Sequence, residues 1–326
     1  MQYRKLGKTG VTISAISIGA MTYGSQIGEA ESIKLIKAAM DEGINSFDTA
    51  NGYGTSEEIL GKALKGIRHN AFIATKVGAP LGPNAGPNDK GLSRRHIMQQ
   101  IENSLNRLQT DYVDLYYCHM PDYNVPIEDT LNTLDDLVSQ GKVRFIGCSN
   151  FYAWQLAKAL GVSERYDLAR FQCIESPYNL LTRDIEMELI PLCAKEGVGI
   201  CAYNPLAGEI LTGRHEFGKP PAEGRFTIQG FGKLYYDRYW SDVNFKAIDR
   251  FKELAQAHNY TLPQFSIAWL LNSPTLTSVL SGLISMEQLK ENVVAADIKL
   301  TSEDIKACDE VWSMFRPTRY FYAKKE

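Results

Sequence analysis

The chain has 326 residues, 44% of them hydrophobic, and a formal net charge of −3 at neutral pH. That length suits one large α/β domain, and the apolar content supplies a sizeable core. The slightly acidic balance excludes a typical nucleic-acid binder, and no run is apolar for long enough to span a bilayer.

The opening "MQYRKLGKTG" has no apolar signal core, which predicts a cytoplasmic protein. Its "LGKTGV" reads as the turn of a hairpin, placed to plug the lower end of a barrel. Eight short β-rich runs then succeed one another, at residues 15–21, 44–50, 71–77, 112–119, 143–150, 170–176, 198–204 and 276–282. They are apolar on both faces, as parallel strands covered on both sides must be. Helix-like stretches separate them. In "SRRHIMQQIENSLNRLQT" the residues Ile97, Ile101, Leu105 and Leu108 form one stripe. "PIEDTLNTLDDLVSQGK" opens on a proline and acids and stops at Gly141. "FKAIDRFKELAQAHN" is similar, and "SMEQLKENVVA" begins on a Ser285 cap. Eight strands alternating with helices predict a (β/α)8 TIM barrel with an N-terminal β-hairpin, a single domain over residues 1–326. A doubly wound sheet is the weaker alternative, because no strand is followed by GxGxxG. Residues 205–241, rich in glycine and aromatics, read as a long functional loop after the seventh strand.

The six cysteines, Cys118, Cys148, Cys173, Cys193, Cys201 and Cys308, form neither a CxxC pair nor a zinc-like spacing. They are expected to be small, buried, reduced side chains, and no metal site is expected.

The polar residues at the strand ends carry the chemistry. In "FDTANGYGTSEEILGKAL" the acid Asp48 closes the second strand, and Tyr53 sits between two glycines in the loop after it. Lys76 ends the third strand and His119 the fourth. All four fall on one rim of the predicted barrel. A tyrosine holds its proton at neutral pH and serves as an acid if its phenolate is stabilised. A neighbouring ammonium supplies that stabilisation, and a buried carboxylate keeps the ammonium charged. A histidine opposite donates a hydrogen bond to a substrate carbonyl.

These residues, with "ATKV", "DLYYCHMPD", "GKVRFIGCSNF", "FQCIESPYNL", "AYNPLAGEILTGR" and "SGLISMEQLKEN", resemble the aldo-keto reductase superfamily nearly end to end. The resemblance implies a barrel that reduces carbonyls with NADPH, less often NADH. Its catalytic tetrad maps onto Asp48, Tyr53, Lys76 and His119. It also implies cofactor contacts from Gly19, Ala20, Met21 and Asp48, from Ser149, Asn150 and Gln172, and from Tyr203, which stacks on the nicotinamide. Pro205, Leu206, Gly208 and Arg214 fall near the pyrophosphate. Gly282, Ser285, Gln288, Glu291 and Asn292 fall at the adenosine end. The sequence departs from the family pattern at "SGLIS", where Leu283 and Ile284 stand in place of a cation for the 2′-phosphate. NADPH is expected, with NADH as the alternative.

The substrate is expected to be a small-molecule carbonyl, with a sugar, a ring-containing carbonyl and a larger hydrophobic ketone all open, held by Tyr53 and His119 and lined by Tyr23, Tyr123 and Tyr178. Two other functions fit the same residues. One is a regulatory protein like the channel β-subunits of this fold, and the other a NAD-dependent polyol or sugar dehydrogenase. No feature of the sequence bears on oligomeric state.

Overall fold

The computed structural model describes residues 1–82, 84–219, 221, 224–228 and 232–315. In chain order the elements are β1 (Tyr3–Lys5), β2 (Thr12–Ser14), β3 (Ile16–Gly19), α1 (Glu29–Asp41), β4 (Ser46–Asp48), α2 (Ser56–Ala63) and β5 (Phe72–Val77). Next come α3 (Arg94–Leu108), β6 (Val113–Cys118), α4 (Ile127–Ser139), β7 (Val143–Ser149), α5 (Ala153–Tyr166), β8 (Phe171–Pro177), α6 (Leu189–Glu196) and β9 (Gly199–Tyr203). The chain ends with α7 (Gly232–Tyr239), α8 (Asp242–Ala257), α9 (Leu262–Leu271), β10 (Leu276–Ser281), α10 (Met286–Val294) and α11 (Ser302–Ser313).

Strands β3 to β10 close into a parallel barrel in the order β10-β3-β4-β5-β6-β7-β8-β9. This is the (β/α)8 fold, with each predicted strand present. The antiparallel hairpin β1–β2 closes its lower end. Leu6 and Ile13 of that hairpin pack into the barrel interior against Phe72, Ala74, Leu115, Tyr117, Cys173, Cys201 and Leu280. A larger apolar layer lies between barrel and helices and includes the predicted stripe Ile97, Ile101, Leu105 and Leu108. Helix starts follow local chemistry. Ser93 accepts from His96 N ahead of α3, and Ser285 accepts from Gln288 N ahead of α10. Each satisfies an amide the helix itself leaves unpaired.

The described residues between 205 and 241 are more ordered than a loop. They contain 3₁₀ turns at Ala207–Thr212 and Arg225–Thr227, and α7. The aromatics explain this. Trp240 meets Phe226, His215, Tyr236 and Phe245 at centroid separations of 5.0 to 5.3 Å. This small apolar cluster fixes the segment above the barrel.

One glycine is needed for close approach inside the barrel. A Cβ on Gly147 of β7 would lie 2.7 Å from the Tyr117 ring and from the Cys173 carbonyl oxygen. The Gly147→Val protein should therefore lose about 1–3 kcal/mol of stability through overpacking. A chemical-denaturation midpoint equal to the parent's would contradict this packing.

Candidate active site

Side chains alternate along a strand, so every second residue faces the barrel interior. Phe72 and Ala74 face inward on β5, and the next residue of that parity is Lys76. On β6 the series Leu115, Tyr117 leads to His119. On β8 and β9, Cys173 leads to Glu175 and Cys201 to Tyr203. The apolar layers thus end in one polar rung at the C-terminal mouth, where barrel enzymes carry their sites.

At its centre Lys76 is fully buried. Its ammonium donates to Asp48 Oδ1, and to the Thr49 carbonyl at 3.0 Å. The Tyr53 ring lies over it, with Nζ 5.2 Å from the ring centroid. Tyr53 hydroxyl and His119 Nε2 are 3.3 Å apart, with the two rings edge-on at 83°. The glycine-flanked turn holds Tyr53 in place, its amide donating to the Ala50 carbonyl at 3.1 Å. The start of α2 is tied to the strand ends by Ser56, whose hydroxyl donates to the Ala20 carbonyl and pairs with Thr49 Oγ1.

Burial opposes the charge on Lys76, but Asp48 and then Glu175 outweigh it and hold the ammonium well above the usual lysine range. Burial pushes the Tyr53 phenol up, with Lys76 pulling against it and Glu175 and Asp48 adding to the rise. Burial, assisted by the Lys76 charge, pushes His119 down to about 3. The imidazole is therefore neutral near neutral pH, so that it can donate a hydrogen bond without carrying charge.

A cleft of about 680 Å³ runs from this centre across the barrel mouth. Tyr203 hydroxyl donates to Asn150 Oδ1 at 2.8 Å, and Asn150 Nδ2 donates to the His119 carbonyl and to Ser149 Oγ. One end of the cleft thereby becomes a fixed polar wall beside an aromatic face. At the far end lie Gly282, Leu283, Ile284, Gln288, Glu291 and Asn292. There Gln288 Oε1 accepts from Ile284 N, Glu291 from Thr261 Oγ1, and Ser281 Oγ from Asn292 Nδ2.

A family model described as "Aldo/keto reductase family" matches residues 15–313. The chain belongs to that family. A protein of Arabidopsis thaliana named "Probable voltage-gated potassium channel subunit beta" is 37% identical over 91% of this chain and 92% of its own length. "Uncharacterized oxidoreductase YrpG" of Bacillus subtilis is 33% identical over 96% of both chains. A Schizosaccharomyces pombe protein with a "Putative voltage-gated potassium channel subunit beta" name is 34% identical over 99% of this chain and 96% of its own.

Most residues assigned by analogy with the aldo/keto reductases meet in the cleft. Gly19, Met21, Asp48, Tyr53, His119, Ser149, Asn150, Tyr203, Pro205, Leu206, Arg214, Gly282, Gln288, Glu291 and Asn292 line it, with Lys76 directly beneath. Gln172 does not. It lies at the lower end of β8, where the pairing with β7 shifts register between Phe171 and Cys173, and its carbonyl faces Gly7 of the hairpin. The residue that reaches the mouth from this strand is Glu175, three positions on. Tyr178 is also displaced from the mouth. It is buried on Trp269 and donates to Glu186 at 2.7 Å, so it braces the loop after β8. Tyr23 is buried behind the wall rather than in it, as is Ala20. Tyr123 stands exposed at the rim and pairs with Gln155 at 3.3 Å. Gly208 lies behind the Tyr235 ring, with its left-handed backbone (φ 66°) tied to Asn204. Ser285 acts as the cap of α10.

Besides Glu175, the motif reading missed Arg225. Its guanidinium lines the cleft where a Cβ on Gly282 would lie 2.6 Å away. It sits in the irregular segment after β9, where no periodicity marks inward and outward positions. No helix of the described residues is long and apolar enough to cross a membrane.

Proposed function

We propose that the chain is an NADPH-dependent reductase of aldehydes or ketones. The observation that carries this reading is the buried Lys76 ammonium, bonded to Asp48 and lying under the ring of Tyr53. The residues fit a nicotinamide nucleotide. The cleft is long, Ser149 and Asn150 offer amide partners beside the Tyr203 face, and the glycine at 282 leaves a cradle against Arg225. When bound, that nucleotide supplies the hydride. This chain's residues do the rest. Tyr203 and the Ser149–Asn150 wall orient the ring. A substrate oxygen docks against both the Tyr53 hydroxyl and His119 Nε2, which are close enough to share it. Neutral His119 polarises the carbonyl through its ring N–H. Tyr53 gives its proton to the developing alkoxide, and Lys76 stabilises the phenolate left behind.

A second reading has support in the names of two relatives, "Probable voltage-gated potassium channel subunit beta" and "Putative voltage-gated potassium channel subunit beta". In that case the chain binds the nucleotide as a regulator and turns over slowly or not at all. Steady-state oxidation of NADPH by the isolated protein, across aldehydes, ketones and sugars, separates the two. Turnover with one substrate class supports the reductase, and nucleotide binding without turnover supports the regulator.

Cofactor choice rests on the adenosine end. Leu283 is buried and Ile284 is 42% exposed, so neither position supplies a cation. Glu291 lines the same pocket and suits a ribose hydroxyl better than a phosphate. NADPH preference then depends on neutral hydrogen bonds, on the α10 N-terminus and on the Arg225 guanidinium beside Gly282, each bond to a charged group contributing about 1.5–3 kcal/mol. The expected preference is moderate, and Ile284→Arg should tighten NADPH roughly tenfold or more with little effect on NADH. Dissociation constants for both nucleotides on parent and variant test this. Equal tightening of both would place the 2′-phosphate elsewhere.

A further inference from the structure

Two buried carboxyls face one lysine in this site. Asp48 takes the hydrogen bond from Lys76, and Glu175 Oε2 lies 3.3 Å from the same nitrogen with a side chain 6% exposed. Neither Asp48 Oδ2 nor Glu175 Oε2 has an aligned hydrogen-bond partner among the described residues. One ammonium balances one carboxylate. A second ionised carboxylate in a dry pocket would be uncompensated, and burying an unpaired charge is strongly unfavourable.

We propose that Glu175 is a positioning residue for proton transfer: it holds a proton while Asp48 is ionised, and losing that proton makes Tyr53 a poorer acid. The contact between the two carboxyls favours charged Asp48 and neutral Glu175. The groups facing Glu175 are Asp48 on β4, Lys76 on β5, Tyr53 in the loop after β4, Tyr117 on β6, Cys201 and Tyr203 on β9, and Cys173 on its own strand. Lys76 is the cation among them. Burial, with Asp48 adding to it and Lys76 opposing, pushes Glu175 up to about 8.

The sign of the effect is set by charge. As pH rises through about 8, Glu175 ionises and adds a negative charge beside the Tyr53 phenol. The phenolate becomes harder to form, and reduction slows. Glu175→Gln keeps the shape and removes the titration.

This inference rests on the reductase reading, so the test has an arm that needs no turnover. In the nucleotide-free protein, infrared difference spectra across this pH range should show the carbonyl stretch of a protonated carboxyl disappearing, and Glu175→Gln should lack that signal. In kinetics, the parent's reduction rate should fall across about pH 7 to 9, and the variant's should lose that fall. An identical infrared titration in the variant would overturn the proposal, whatever the activity. So would a variant that is slower at every pH with the parent's profile unchanged, which is what a merely structural role would give. If no carbonyl is turned over, the infrared arm still decides the protonation state, and the reductase reading fails separately.

Discussion

Replacing Tyr53 with phenylalanine should lower carbonyl reduction by on the order of 10²–10⁴-fold, the range typical of a lost general acid. The ring remains, so its position over Lys76 and beside His119 is kept. What disappears is the hydroxyl 3.3 Å from His119 Nε2. His119 is neutral at working pH and does not supply the proton in its place. Because the proposed nucleotide contacts at Tyr203, Ser149, Asn150 and the α10 end do not use the Tyr53 hydroxyl, its dissociation constant should change little. Turnover and nucleotide fluorescence on the same preparation measure the two quantities. A correctly folded Tyr53→Phe protein with most of its activity would remove Tyr53 from the chemistry.

Lys76→Met should affect stability as well as turnover. The substitution fills the volume but leaves Asp48 and Glu175 buried beside one another without their cation. Breaking a buried ion pair from one side typically costs about 3–5 kcal/mol. The loss depends on pH, with a definite sign. Without the ammonium, both folded-state carboxyls sit further above their unfolded values, since Lys76 is what lowers them. A group whose folded pKa is raised contributes stability below its unfolded pKa and loses it as pH rises through the folded one. The deficit relative to the parent should therefore be largest at and above about pH 8 and smallest near about pH 5, approaching the unfolded carboxylate range. Denaturation midpoints of both proteins across that window test it. A deficit that does not vary with pH would mean the two carboxyls do not depend on Lys76 for compensation.

The barrel was legible because its signal is repetitive. Each of the eight buried runs contains a strand of the closed sheet, and the cap at Ser285 lies where its side chain predicted a helix start. The polar rung at the barrel mouth was legible where strand parity and motif agreed, at Asp48, Lys76 and His119. On β8 the two diverged. Motif spacing pointed to Gln172, whereas alternation from Cys173 points to Glu175. The parity argument was available in "FQCIES" and identifies the residue that lies beside Lys76. The aromatic residues were harder to read. Tyr23, Tyr123 and Tyr178 come after strands as the rim residues do, but a loop tyrosine has no period that separates pocket from packing. Arg225 is a similar case. Its approach to Gly282 comes from a long-range fold-over, held by an aromatic cluster centred on Trp240.

The central claim is that this chain carries a hydride to a carbonyl and protonates the product, rather than holding a nucleotide as a regulator. Incubation of the isolated protein with an aldehyde and NADPH deuterated on one face of the nicotinamide C4, followed by mass analysis of the alcohol, tests it directly. The prediction is labelled alcohol in large excess over protein from one labelled face only, since on the proposed reading the nicotinamide packs against Tyr203 beside the Ser149–Asn150 wall, which line the cleft. Tight nucleotide binding with no labelled alcohol beyond one equivalent of protein, for every carbonyl supplied, would contradict it.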